Sequence, residues 1–100
     1  MSPELKVLNL LGLAMKAGKL TTGESLVLKS VQSNQAKIVL VAEDASENTK
    51  KKFTDKCSYY SVPIFVKFTK FEMSNAIGRQ RTICSIADSG FGDRIKELLK

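Results

Sequence analysis

Residues 38–42, IVLVA, form an unbroken apolar run within KIVLVA, residues 37–42, a stretch rich in β-formers and bounded by polar residues. Successive side chains of a strand point to opposite faces of a sheet, so such a run has no face to leave in water. It predicts a central strand buried on both sides. In a chain of 100 residues, 43% hydrophobic with six Gly and two Pro, this means one domain over residues 1–100, with helices covering both faces of a small sheet.

The other elements fit around that strand. Ser2 and Pro3 read as the N-cap and first residue of a helix over residues 3–16, with Leu5, Leu8, Leu11 or Gly12, and Met15 at helical spacing. Ala17-Gly18 ends it, Lys19 to Thr22 adds a short edge strand, and residues 23–33 read as a second helix. Ser46 caps a third helix, with Thr49, Phe53, Cys57 and Tyr60 on one side and Lys50, Lys51, Lys52 and Lys56 over the rest. Pro63 opens the strand IFV. Thr69 and Glu72 have the T-x-x-E spacing of a capping box, so TKFEMSNAIG reads as a short helix closed by Gly78. A strand over residues 82–87 follows, DSGFGD reads as a loop, and Phe91, Ile95, Leu98 and Leu99 give the last helix its apolar stripe. Helices alternate with strands, which predicts an α/β fold: a three-layer α/β/α sandwich around a small mixed sheet.

Charge narrows the function. Sixteen Lys plus Arg against ten Asp plus Glu give +6 and a pI near 9.5, which points to a polyanionic partner, above all nucleic acid. A domain this small has little room for a deep enzyme pocket. With no His, a general base would fall to Glu43, Asp44 or a lysine, and no GxGxxG or GxxxxGK[ST] loop follows any strand. The chain therefore reads as a non-enzyme without cofactor, with Asp44 a loop or capping residue. Cys57 and Cys84 lack CxxC spacing and fit buried small hydrophobes in a reduced, cytoplasmic protein without a metal site. No apolar stretch approaches the roughly 20 residues of a membrane span, and MSPELKVLNLL is not a signal peptide. No membrane partner is expected, and a monomer is.

The most informative surface is AGKLTTGESLVLK, residues 17–29. On a helix starting here Val27, Leu28 and Val31 point inward, Ser25, Lys29 and Thr22 share an outward face, and Leu26 borders the apolar side. The first-turn N–H groups carry the positive end of the helix dipole, so this end favours an anion, beside which Lys29 adds a full charge and Gly23 leaves the backbone open. The plainer reading makes Thr22 a cap, Gly23 a turn residue and Lys29 a solvated lysine. The tract KKKFTDK reads as a solubility device.

Taken in order, AGKLTTGESLVLK, IVLVAEDAS and VPIFVKFTKFEMSNAIG resemble the ribosomal protein L7Ae/L30e family, and LGLAMKAGKLTTG is similar in particular to its small bacterial members. The resemblance covers almost the whole chain. It implies binding of kink-turn or related internal-loop RNA, with ribosomal RNA among the candidate targets, through the second helix's start and the loop before the fourth. The family pattern G-x-N-E-x-x-K falls on Gly23 to Lys29; Gly23 and Lys29 match, whereas Ser25 and Leu26 replace the Asn-Glu pair. Leu26 has no acceptor for guanine edges, and Ser25 keeps a hydroxyl but no amide. By the same resemblance Lys19, Thr22 and Glu24 belong to this platform. Asp44 lies in the strand-end loop, and Ser46 and Lys50 fall where family members approach flipped-out bases. Val66, Lys67 and Phe68, followed by Thr69, occupy the second RNA-contacting loop. A protein-binding adaptor of the same fold is the alternative function.

Overall fold

A computed structural model describes residues 1–100, and in it the apolar run divides as its alternation requires. Ile38, Leu40 and Ala42 enter one core, and Val39 and Val41 enter another on the opposite side of the sheet. The chain order is α1 (Pro3–Lys16), β1 (Leu20–Thr22), α2 (Glu24–Gln32), β2 (Ile38–Val41), α3 (Glu47–Tyr59), β3 (Ile64–Val66), α4 (Lys70–Ile77), β4 (Ile83–Ile86) and α5 (Ser89–Leu99). The strands lie in the order β1-β4-β2-β3, with β2 parallel to β3 and β4 antiparallel to both of its neighbours.

Helices α1, α4 and α5 cover one face, closing a core of Val7, Leu11, Met73, Ile77 and Ile95 over Leu40, Cys84 and Ile86. Helices α2 and α3 cover the other, packing Val27, Val31, Phe53 and Cys57 on Val39, Val41 and Ile83. The three-layer sandwich around a mixed sheet is thus the observed architecture, with Leu20–Thr22 as its edge strand. One polar contact is built into the second core. The Ser30 hydroxyl donates to the Val27 carbonyl at 2.7 Å and lies 2.9 Å from the Ser85 hydroxyl. Its single proton being so engaged, Ser85 donates to Ser30, which ties α2 to the central strand β4.

The caps follow the sequence: Ser2, Ser46 and Thr69 accept N–H groups of α1, α3 and α4, and Glu72 completes the capping box. Three expectations change. The second helix begins at Glu24, because Gly23 has φ 90° and is its N-cap without a side-chain bond; Thr22 ends β1 and caps nothing. On α1 the buried stripe is Val7, Leu11 and Ala14, while Leu5 stays 53% exposed. In a helix this rich in leucine, more than one stripe satisfies the helical spacing.

The third change concerns DSGFGD, which opens α5: the Asp88 carboxylate accepts the Phe91 N–H at 2.8 Å. Gly92 there is a packing residue, since a Cβ would sit 3.1 Å from the Lys37 Cβ. No helix is long and apolar enough to cross a membrane.

Candidate nucleic-acid interface

Strand directions gather distant segments at one end of the sheet. Thr22 pairs with Cys84, Val41 with Ile83 and Val66 with Val41, so the last residues of β1, β2 and β3 lie beside the first of β4. Helices α2, α3 and α4 each start just after those strand ends, which places three helix N-termini on the same edge. Of the three only α2 has no side-chain cap, so its free first-turn N–H groups and dipole favour an anion there.

Hydrogen bonds fix the segments to one another. Gly23 donates to the Ile83 carbonyl at 3.3 Å, Ala42 to Thr82 at 2.8 Å, Glu43 to Phe68 at 2.7 Å and Lys67 to Val41 at 3.0 Å. Asp44 accepts the Lys70 N–H at 2.8 Å, and Arg81 Nε donates to the Thr22 hydroxyl at 3.2 Å. The Thr49 hydroxyl reaches Glu24 at 3.4 Å, joining the starts of α3 and α2. Phe68 is held at φ 70°, a conformation rarely open to a bulky residue, by its buried ring and by the carbonyl that accepts from Glu43.

Most of the residues singled out in the sequence meet at this edge. Ser25 and Leu26 lie in the first turn of α2 and are exposed, Leu26 by 60%, and Lys29 follows Ser25 one turn later on the outside. Ser46 is committed to capping α3, and its hydroxyl donates to Thr49 at 2.9 Å. Lys50 bonds the Glu43 carbonyl at 2.8 Å and pairs with Glu47 at 3.1 Å, so it braces the loop. Val66 is 41% exposed at the end of β3, while Lys67 approaches Glu4 at 3.9 Å. Thr69 is spent on the capping box.

Two residues fall elsewhere. Phe68, expected to pack on bases, is only 3% exposed and its ring belongs to the first core. Lys19 precedes β1 and accepts from Ala87 through its carbonyl, at the opposite end of the sheet from Thr22.

The structure adds Arg81, Arg79 and Phe71. Arg79 and Phe71 line a groove of about 650 Å³ with Asp44, Lys70, Ser74 and Gln80, and Phe71 is largely exposed. The loop entering an antiparallel strand lies at the same end as loops leaving its neighbours, so Arg79 and Arg81 become visible only once the direction of β4 is known. Acidic residues share the edge, but Asp44 and Glu72 accept backbone N–H groups and Glu47 pairs with Lys50.

Both cysteines are buried and unpaired by a disulfide; desolvation pushes Cys84 up to about 12 and Cys57 up to about 11, so neither presents a thiolate.

Residues 6–95 match the ribosomal protein L7Ae/L30e/S12e/Gadd45 family. The chain belongs to this family. It is 53% identical over 95 residues to the RNA-binding protein YlxQ of Enterococcus faecium, covering 95% of this chain and 92% of that one. The YlxQ protein of Bacillus subtilis (strain 168) is 44% identical over 91 residues, covering 90% and 91%. The solved structure of a protein of unknown function from Bacillus halodurans C superposes with a TM-score of 0.91 at 40% identity, covering 94% of this chain and 96% of that one. The bacterial L7Ae-family members to which the opening LGLAMKAGKLTTG pointed are therefore among its relatives.

Proposed function

We propose that this chain is an RNA-binding protein of the L7Ae family that, as one domain, recognises kink-turn or related structured RNA with the sheet edge around Gly23. The observation that carries this is the meeting of the uncapped α2 N-terminus with the loops before α3 and α4, beside exposed Lys29 and Val66 and the Arg81-linked Thr22, on one edge. A sharply bent RNA crowds its phosphates, and fixed N–H donors with a lysine beside them offset that repulsion. Val66 supplies an apolar surface for an exposed base. A role without catalysis, inside the cytoplasm and associated with the ribosome, completes this reading, and the names of its YlxQ relatives support its RNA-binding part.

The test compares a kink-turn RNA with a duplex RNA of the same length and with duplex DNA, each at two salt concentrations. Tighter binding of the bent RNA is expected, and Lys29→Ala should weaken it while lowering the salt slope by about one. Equal affinity for all three would remove the shape component. Leu26, exposed at a position where the family pattern has Glu, favours the adaptor as second reading. An adaptor would bind none of the three nucleic acids.

A further inference from the structure

Beyond Lys50, the tract KKKFTDK and the tyrosines after it take no part in the edge described above. Lys52, Lys56 and Tyr59 stand at i, i+4 and i+7 on α3, so they form one stripe on its outer side. Tyr59 is 81% exposed, unusual for an aromatic residue that no core requires. Its ring meets that of Tyr60 edge-on, with centroids 4.9 Å apart and planes at 77°. Tyr60 is half-buried against the second core, so the contact steadies the Tyr59 ring, whose exposure leaves a face open to solvent. Lys52, Asp55, Lys56, Tyr59 and Tyr60 line a single open recess of about 660 Å³. The one carboxylate there, Asp55, pairs with Lys51 at 3.4 Å, so no acid neutralises Lys56 or Lys52, whose Nζ lies 5.7 Å from the Phe53 ring centroid.

A steadied aromatic face beside unpaired lysines along one groove is the chemistry that holds single-stranded nucleic acid: bases stack on the ring and lysines follow the backbone. Helix α3 starts at the candidate edge and ends at Tyr59, about 18 Å away at 1.5 Å per residue. We propose that Lys52, Lys56 and Tyr59 form a second RNA contact, a stacking platform that takes a single-stranded segment flanking the structured RNA bound at the Gly23 edge. It rests on the RNA-binding reading for its partner, yet it is tested independently of it.

Tyr59 and Tyr60 are the only tyrosines and the chain has no Trp, so intrinsic fluorescence reports on this recess directly. The first arm titrates the full chain with an unstructured uridine oligonucleotide of roughly eight residues. Quenching is expected; Tyr59→Ala should weaken binding by about five- to 150-fold and Tyr59→Phe should restore it. Lys29→Ala should change this arm much less than Tyr59→Ala does. Because Tyr59 is so exposed, its replacement leaves folding intact, which circular dichroism verifies.

The second arm compares a kink-turn RNA with and without a single-stranded uridine tail. The tail should tighten binding to the wild type and not to Tyr59→Ala, while the tail-less RNA binds both alike. If the tail-less kink-turn RNA fails to bind while the oligonucleotide and the tailed RNA still bind through Tyr59, the platform stands and the kink-turn reading falls. Oligonucleotide binding that ignores Tyr59→Ala, or no binding at low salt, overturns the platform.

Discussion

The Asp44 carboxylate accepts the backbone N–H of Lys70 at 2.8 Å, so the loop leaving β2 caps the helix that follows β3. Together with the Thr69–Glu72 box, this satisfies donors of α4 that would otherwise face solvent. It also holds two loops of the candidate edge in register. Asp44→Ala should lower stability by about 1 kcal/mol, as loss of a helix cap does, and Asp44→Asn, which keeps an acceptor, by less. Urea unfolding of the three proteins checks this; equal midpoints would mean that the bond contributes nothing.

Gly23 sits at φ 90° and ψ 147°, a backbone region essentially closed to other residues, and a Cβ there would meet no atom within 4 Å. The cost of replacement therefore comes from the backbone and not from crowding. Gly23→Ala should destabilise by about 1–3 kcal/mol. Thermal unfolding measures the loss, and a variant as stable as the parent would show that the turn relaxes freely. Any added loss of RNA affinity, taken at a temperature where both proteins are folded, reports how closely a ligand approaches this turn.

How far the sequence announces this arrangement differs by element. IVLVA is legible because a strand apolar at every position leaves one choice, a sheet covered twice. The caps at Ser2, Ser46 and Thr69 are legible because each side-chain bond is local. DSGFGD is not, because two glycines look like a loop until Lys37 is seen against Gly92. Phe68 is misread for a related reason: its neighbours Val66 and Lys67 are on the surface, and the left-handed turn that sends its ring inward leaves no trace in residue type. Arg81 depends on β4 running against β1, a fact about distant pairing.

The exposed pair Ser25 and Leu26 gives a test by gain of function. With Ser25→Asn and Leu26→Glu together, discrimination for a kink-turn carrying tandem G·A pairs over the same RNA with Watson–Crick replacements should rise. A well-placed polar pair is worth about 1–3 kcal/mol of base discrimination, by analogy with groove readout in DNA. Overall affinity should fall slightly, since an acid is added near phosphates. Binding of both RNAs measured at two salt concentrations separates these effects. A general loss without discrimination would place Leu26 in an apolar interface with protein.

The buried thiols predict a loss of stability in base. Folding raises their values from 9.0 to about 11 for Cys57 and about 12 for Cys84, so above pH 9 the unfolded chain releases protons that the folded chain retains. The stabilisation is complete below pH 9 and declines as pH rises toward the folded values, each thiol removing up to about 1.4 kcal/mol per pH unit. Cys84→Ala creates a small cavity and should be less stable at pH 8, yet its further decline at pH 10 should be shallower than that of the parent. Parallel declines in urea unfolding would mean that Cys84 takes no part.

Strand β4, although the last strand to be made, lies between β1 and β2. Until residues 83–86 leave the ribosomal exit tunnel, β1 has no partner, the Gly23 N–H has no Ile83 carbonyl to bond, and the ends of β1 and β2 are not held together. Closure over so long a stretch of chain is slow compared with local helix formation. A nascent chain can pair β2 with β3 and join the loops that follow them, but it cannot yet set the Gly23 turn beside them. The two halves of the edge meet only when β4 docks between them, so capture of a ligand that spans both reports that the final strand has folded.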